Sequence, residues 1–141
     1  MTSLLARGRR SHVGGWLYRR VPLRSNERVI LEDRCLYRLP VWGWRLGKLF
    51  VTNQRAIWSP SWDLQQIFFR PRAISLTEIT NVDIEEESFT SNLIMPKRWR
   101  IEAGPTVHYF SDGWGPFPQS IKRDEWIVGI KEVIGTFNSG T

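Results

Sequence analysis

The stretch Arg45-Leu-Gly-Lys-Leu-Phe-Val-Thr-Asn-Gln-Arg-Ala-Ile-Trp58 contains two short apolar runs on either side of a polar pair. The first run is predicted to be a β-strand with Leu49 and Val51 on one face, because successive side chains of a strand point to opposite faces. Asn53-Gln54 is predicted to form a tight connection, since Asn tolerates a positive φ. Ala56–Trp58 then begins a return strand. This stretch therefore predicts an antiparallel pair.

Further segments of strand length lie on both sides of this pair. Upstream, a strand is predicted to end before a loop that contains Pro40 and Gly43. Downstream, Gly104-Pro105 is predicted to join the two strands of a hairpin. The segment 60–71, flanked by prolines, fits either a long loop or a short helix. The additional predicted strands are Val29–Arg38, Arg72–Leu76, Ile79–Ile84, Arg98–Glu102 and Val107–Phe110.

The last part of the chain changes from strand to helix periodicity. Its apolar residues recur on one helical face and are Trp126, Ile127, Ile130, Val133 and Ile134. Ser120 is the predicted N-cap and Gly135 the predicted C-terminal stop. Gly129 inside the helix costs about 1 kcal/mol relative to Ala, so tertiary packing must hold the helix together. Six or seven short strands followed by one amphipathic helix predict a partly open barrel that the helix plugs at one end.

Three motifs in this order resemble the GRAM and related pleckstrin-homology-like (PH-like) domains. They are Gly47-Lys-Leu-Phe-Val-Thr-Asn-Gln-Arg-Ala-Ile-Trp58, Ile74-Ser-Leu-Thr-Glu-Ile-Thr-Asn-Val-Asp-Ile84 and Arg123-Asp-Glu-Trp-Ile127. The resemblance implies a mainly β (α+β) fold, a PH-like barrel of about seven antiparallel strands capped by one C-terminal α-helix. It also implies no catalysis, no cofactor, and binding of phosphoinositides, other membrane lipids or protein partners.

The 141 residues suffice for one domain. We expect a basic N-terminal extension at 1–26, a GRAM/PH-like domain at 27–136 and a short tail at 137–141. The extension contains six arginines and no acidic residue, whereas the remainder has fourteen basic and fourteen acidic residues. The extension is consistent with an organellar transit peptide, a polybasic arm or a merely solvated segment, and its composition leaves these three open.

Composition excludes several classes of protein. A neutral body argues against nucleic-acid binding, which requires a basic face on the folded domain. No stretch reaches the roughly 18 apolar residues of a transmembrane helix, and the single Cys35 excludes an internal disulfide and thiolate-rich zinc sites. The sequence contains two histidines, His12 and His108, but no G-x-S-x-G nucleophile elbow and no phosphate-binding glycine loop. We therefore expect a non-enzymatic cytoplasmic protein, either free or peripheral at a membrane.

Two segments are candidates for contacting a lipid or a protein partner. In the first, Trp42 and Trp44 stand in a predicted loop beside arginines, a pattern typical of the membrane interface. The second is Ile67-Phe-Phe-Arg-Pro-Arg72. The candidate binding residues are Arg38, Trp42, Trp44, Arg45, Lys48, Phe68, Phe69, Arg70 and Arg72. We expect peripheral association with anionic phospholipid headgroups, with a protein–protein adaptor as the alternative; no metal is expected, and the oligomeric state stays undetermined.

Overall fold

The computed structural model describes residues 11–15, 17–61, 69–85, 95, 97–113 and 121–139. Within these residues the chain forms nine strands and one α-helix, and a short 3₁₀ turn precedes the seventh strand. The strands are β1 (His12–Val13), β2 (Val21–Pro22), β3 (Val29–Leu39), β4 (Gly43–Thr52), β5 (Arg55–Pro60), β6 (Arg72–Ser75), β7 (Ile79–Ile84), β8 (Arg98–Ala103) and β9 (Thr106–Ser111). The helix is α1 (Arg123–Ser139), and the 3₁₀ turn is Leu76–Glu78.

Seven strands form one sheet in the order β6-β5-β4-β3-β9-β8-β7, and every neighbouring pair is antiparallel. The sheet curves around a core, since Tyr37 of β3 contacts Trp58 of β5 and Phe110 of β9 with ring centroids 5.0 and 5.1 Å apart. The mainly antiparallel fold with one C-terminal helix is confirmed. The predicted hairpin around Gly104-Pro105 is confirmed as β8 and β9.

Helix α1 covers one end of this core. Trp126 stacks on Trp99 at 6.0 Å between centroids, and Ile130 is fully buried beside them. Gly129 lies against Leu31 at the start of β3, where a Cβ would come within 2.6 Å of a Leu31 methyl carbon. The tryptophans at 58, 99 and 126 and the cysteine at 35 are buried in this core.

The ends of α1 differ from the prediction. The helix begins at Arg123, three residues after the expected cap Ser120, which lies outside the described residues. The N–H of Arg123 donates instead to a carboxylate oxygen of Asp112, a residue eleven positions earlier in the chain. The helix also continues past Gly135, which lacks the positive φ of a C-terminal glycine and has no atom near its missing side chain.

Strands β1 and β2 form a separate antiparallel pair on the outer face of the barrel. Val13 and Val21 of this pair pack in a second apolar cluster with Phe50 and Ile57. Part of the sequence range expected to be a basic extension thus contributes buried surface.

The polar residues of the β4–β5 turn bind this N-terminal part. Arg55 forms a bidentate ion pair with Glu27, with N–O distances of 2.9 and 3.1 Å. Thr52 donates a hydrogen bond to the same carboxylate, and Asn53 accepts one from the Arg28 N–H. The Thr-Asn-x-Arg part of the motif therefore has a structural role here.

Candidate functional site

The β3–β4 turn lies at the end of the barrel away from α1. Near the start of β3, Leu31 contacts Gly129 of the helix, and the strand ends at Leu39 beside the turn. Eight residues at about 3.3 Å each separate the two ends by roughly 26 Å. We call the region formed by residues 38–45, 69–72 and 108–109 the open end.

The turn presents two apolar side chains to solvent. Val41 is 99% exposed and Trp42 is 61% exposed. Val41 also has a φ of +73°, which β-branched residues rarely adopt. Gly43 follows at +80°, a conformation that glycine adopts without a steric penalty. A fully exposed valine in this conformation adds no buried apolar surface to the fold, and the turn therefore stays a candidate contact.

Trp42 packs against Phe69, which in turn contacts Arg45. Its ring meets Phe69 edge-on at 5.6 Å between centroids, and the guanidinium carbon of Arg45 lies 5.3 Å from the same Phe69 ring. The Nε atom of Arg45 is buried and has no hydrogen-bond partner within the described part of the chain. We call Trp42, Phe69 and Arg45 the aromatic stack. Phe68, the other predicted phenylalanine, lies outside the described residues.

Strand register puts two of the predicted arginines on the inner face of the sheet. Arg45 is directly opposite Tyr37, and Arg72 is opposite Trp58; both partners belong to the core. Residues directly opposite in an antiparallel pair share a face. Arg72 is exposed at the rim, as is Arg70 just before β6. Arg70 directly follows Phe69 of the aromatic stack in the chain, and Arg72 is close enough to Tyr37 and His108 for its positive charge to affect the pKa values of both.

Arg38 and Trp44 are opposite one another on the outer face of the same hairpin. The Arg38 guanidinium lies over the ring of Tyr109 on the neighbouring strand, 5.7 Å from its centroid. Trp44 was predicted to lie in a loop, but β4 already begins at Gly43, so Trp44 is a half-buried strand residue. These two residues flank the open end from outside the barrel.

Lys48 is placed away from the other predicted residues. It follows Trp44 by four residues along β4 and lies on the outer face, opposite Arg34. Its ammonium group is 4.0 Å from a Glu32 carboxylate oxygen and 5.3 Å from the centroid of the Phe50 ring. Its charge is therefore partly balanced locally.

A polar pair that the sequence did not reveal joins the open end to the core. The Tyr37 hydroxyl is 2.8 Å from Nδ1 of His108, although the two residues are 71 positions apart. Burial lowers the pKa of His108, and the nearby positive charge of Arg72 lowers it further. Burial likewise raises the pKa of Tyr37. Both rings are thus neutral at pH 7, and the charge of this region comes from its arginines.

Neither a metal centre nor a membrane span emerges from the described residues. No group of three or more His, Cys, Asp or Glu side chains among them could hold a metal ion. None of the helices found there combines the length and the hydropathy needed to cross a bilayer.

Comparison with solved structures identifies the architecture. The "Vps36 N-terminal PH domain" matches 86% of this chain and 88% of its own, with a TM-score of 0.57 at 15% sequence identity. The chain has a PH-like fold. The chain is also similar to the C-terminal domain of an unknown protein from Leishmania infantum, with a TM-score of 0.57 at 12% identity over 78% of this chain and 86% of that one.

A third similar structure is the hSac2 domain from the human phosphoinositide phosphatase Sac2. Its TM-score is 0.52 at 15% identity, over 84% of this chain and 74% of that one. No known protein-family model and no curated protein matches the chain. The likeness to these structures therefore establishes the fold alone.

Proposed function

We propose that this chain is a non-enzymatic GRAM/PH-like module that attaches to anionic phospholipid headgroups, phosphoinositides among them, through its open end. The observation that carries the proposal is the exposed, strained apolar turn next to a group of arginines. Trp42 and Val41 would enter the headgroup region, while Arg45, Arg70 and Arg72 would meet the phosphates. Location in the cytoplasm, peripheral to a membrane, follows from this function.

The apolar part of the surface supports membrane contact. Tryptophan favours the bilayer interface because its ring is largely apolar while its N–H remains hydrated. Phe69 holds Trp42 from one side, so the ring is positioned before it meets a membrane. Pre-positioning reduces the side-chain entropy lost on binding.

The charged part supports a preference for anionic lipid. Each Lys or Arg near an anionic surface contributes about 1 kcal/mol. Because His108 is neutral at pH 7, this contribution depends on arginines alone and should persist across neutral pH. The arginine-rich residues 1–26 add long-range attraction to the same kind of surface, while the neutral body adds none.

Vesicle co-sedimentation tests the proposal. We expect wild type to bind vesicles of phosphatidylcholine containing phosphatidylserine or a phosphoinositide, and to bind pure phosphatidylcholine weakly. The double variant Arg70→Gln/Arg72→Gln should bind anionic vesicles about 30-fold more weakly, since two charges near the surface are lost. Trp42→Ala should weaken binding about tenfold through the loss of apolar area.

The matched control is Lys48→Gln, which removes one positive charge outside the open end and should leave binding nearly unchanged. Binding that is insensitive to lipid charge, or equally reduced by Lys48→Gln, would contradict the proposal. Absence of vesicle binding would instead favour the alternative function, a protein–protein adaptor that uses the same barrel.

A further inference from the structure

A second surface lies at the end of the barrel near α1. A groove of about 520 Å³ runs between the start of β3, the β4–β5 turn and the second half of the helix. Its apolar lining comes from Ile30 and Leu31 on the strand and from Val133 and Phe137 on the helix. The groove is distant from the open end, so the lipid proposal does not account for it.

Strand β3 contains an irregularity at this groove. Val29 is opposite Thr52 and Leu31 is opposite Val51, which leaves Ile30 without a partner position in β4. Such a bulge redirects a side chain, and Ile30 is 47% exposed as a result. An isoleucine turned outward into an apolar groove is a feature of a contact surface rather than of a core.

The groove carries two opposite charges. Arg28 and Glu132 both line it and are exposed, and the described residues provide neither with an ion-pair partner. Under a twofold axis, Arg28 of one copy would meet Glu132 of the other, and the reverse pair would form at the same time. A patch with one charge of each sign is therefore complementary to itself.

We propose that this groove binds a second copy of the chain in a twofold-symmetric dimer. The exposed row of α1 formed by Val128, Glu132 and Thr136, spaced four residues apart, borders the groove and would pack against the same row of the second copy. Ridges of this spacing pack into the grooves of a facing helix. The proposal is independent of lipid binding, because it uses none of the open-end residues.

Sedimentation velocity over a range of concentrations tests the dimer by charge exchange. Wild type should dimerise, while Arg28→Glu and Glu132→Arg should each be monomeric, since each single change creates two like-charge contacts. An equimolar mixture of these two variants should form heterodimers, because both contacts again join opposite charges. The double variant Arg28→Glu/Glu132→Arg should dimerise by itself.

Ile30→Asp should abolish dimerisation, because it places a charge in the apolar part of the groove. Lys131→Glu is the control: Lys131 is on α1 but does not line the groove, so dimerisation should be unchanged. Thermal unfolding of each variant verifies that it is folded. Wild type that stays monomeric up to about 1 mM, or single variants that fail to combine, would overturn the proposal. In that event the groove is open to a different protein or a small apolar ligand.

Discussion

At the scale of single residues, Asp112 is a buried carboxyl group at the start of α1. It is 7% exposed and one of its oxygens accepts the first N–H of α1, while the other has no hydrogen-bond partner among the described residues. Burial raises its pKa from 3.8 to about 6, although the hydrogen bond from Arg123 and the charge of Lys97 act in the opposite direction. The ionised form is therefore poorly accommodated in the folded protein.

The sign of the resulting pH dependence follows from this raised pKa. A carboxyl group with a higher pKa in the folded state contributes stability that is fully present below about pH 3.8 and is lost as the pH rises through about 6. Asp112→Asn should remove this dependence. The free energy of unfolding of wild type should fall relative to the variant by about 1–3 kcal/mol between pH 4 and 7, as urea denaturation would measure. Asp83→Asn, at an exposed position, is the control, and parallel pH profiles for wild type and Asp112→Asn would refute the assignment.

At the scale of elements, the pairing of β4 with β5 depends on a close approach at Gly47. The Trp58 ring lies against this glycine, and its indole N–H donates to the Cys35 carbonyl at 3.0 Å. A Cβ at position 47 would lie 2.6 Å from the ring and would overlap the carbonyl oxygen of Ser59. Neither obstacle is the end of a flexible side chain, so the strands themselves would have to separate.

Gly47→Ala should therefore lower the free energy of unfolding by about 2–3 kcal/mol, the usual effect of overfilling a packed site. Gly135→Ala is a chemically identical change in α1, where no atom lies within 4 Å of the new methyl group. It should raise stability by up to about 1 kcal/mol through helix propensity. Urea denaturation of both variants compares them, and equal effects at the two positions would disprove the steric explanation.

At the scale of the whole molecule, one buried ion pair joins the N-terminal strand pair to the barrel. Glu27 and Arg55 are 7% and 8% exposed, and Arg55 also donates to the carbonyl of Pro22 in β2. Burial by itself would raise the pKa of Glu27, but the hydrogen bonds from Arg55, the Arg24 N–H and Thr52 outweigh it and lower the pKa below 4.5. This interaction therefore stabilises the protein above pH 4.5, and the contribution is lost as the pH falls further.

Glu27→Gln should lower the free energy of unfolding by about 3 kcal/mol at pH 7, because it leaves a buried guanidinium without its counter-charge. The difference in free energy of unfolding between wild type and Glu27→Gln should shrink as the pH falls below 4.5. At Asp112 the stabilisation is lost in the opposite direction, as the pH rises. Chemical denaturation at several pH values measures both. Glu78→Gln, at an exposed position, is the control, and a loss no larger than this control's would contradict the proposed role.

Local chain patterns were sufficient for most elements of the fold. The alternation around Leu49 and Val51 and the Gly104-Pro105 turn predicted strands that the structure contains, because such patterns depend on near neighbours. The helix ends were predicted less well. The first N–H of the helix donates to Asp112, which is eleven residues earlier in the chain, and Gly135 is helical. Neither feature can be predicted from the residues next to the helix ends.

The sequence by itself determined the mainly β architecture with its closing helix, and it marked the Trp42 turn and the arginines as candidate contacts. Only the tertiary structure decided which of these candidate residues lie close together. Inter-strand register placed Arg45 and Arg72 on the inner face, Arg38 on the outer face and Lys48 beside Glu32. It also paired Tyr37 with His108. The physical reason is that register is set by packing between distant strands, and a shift of one residue would move every side chain to the opposite face.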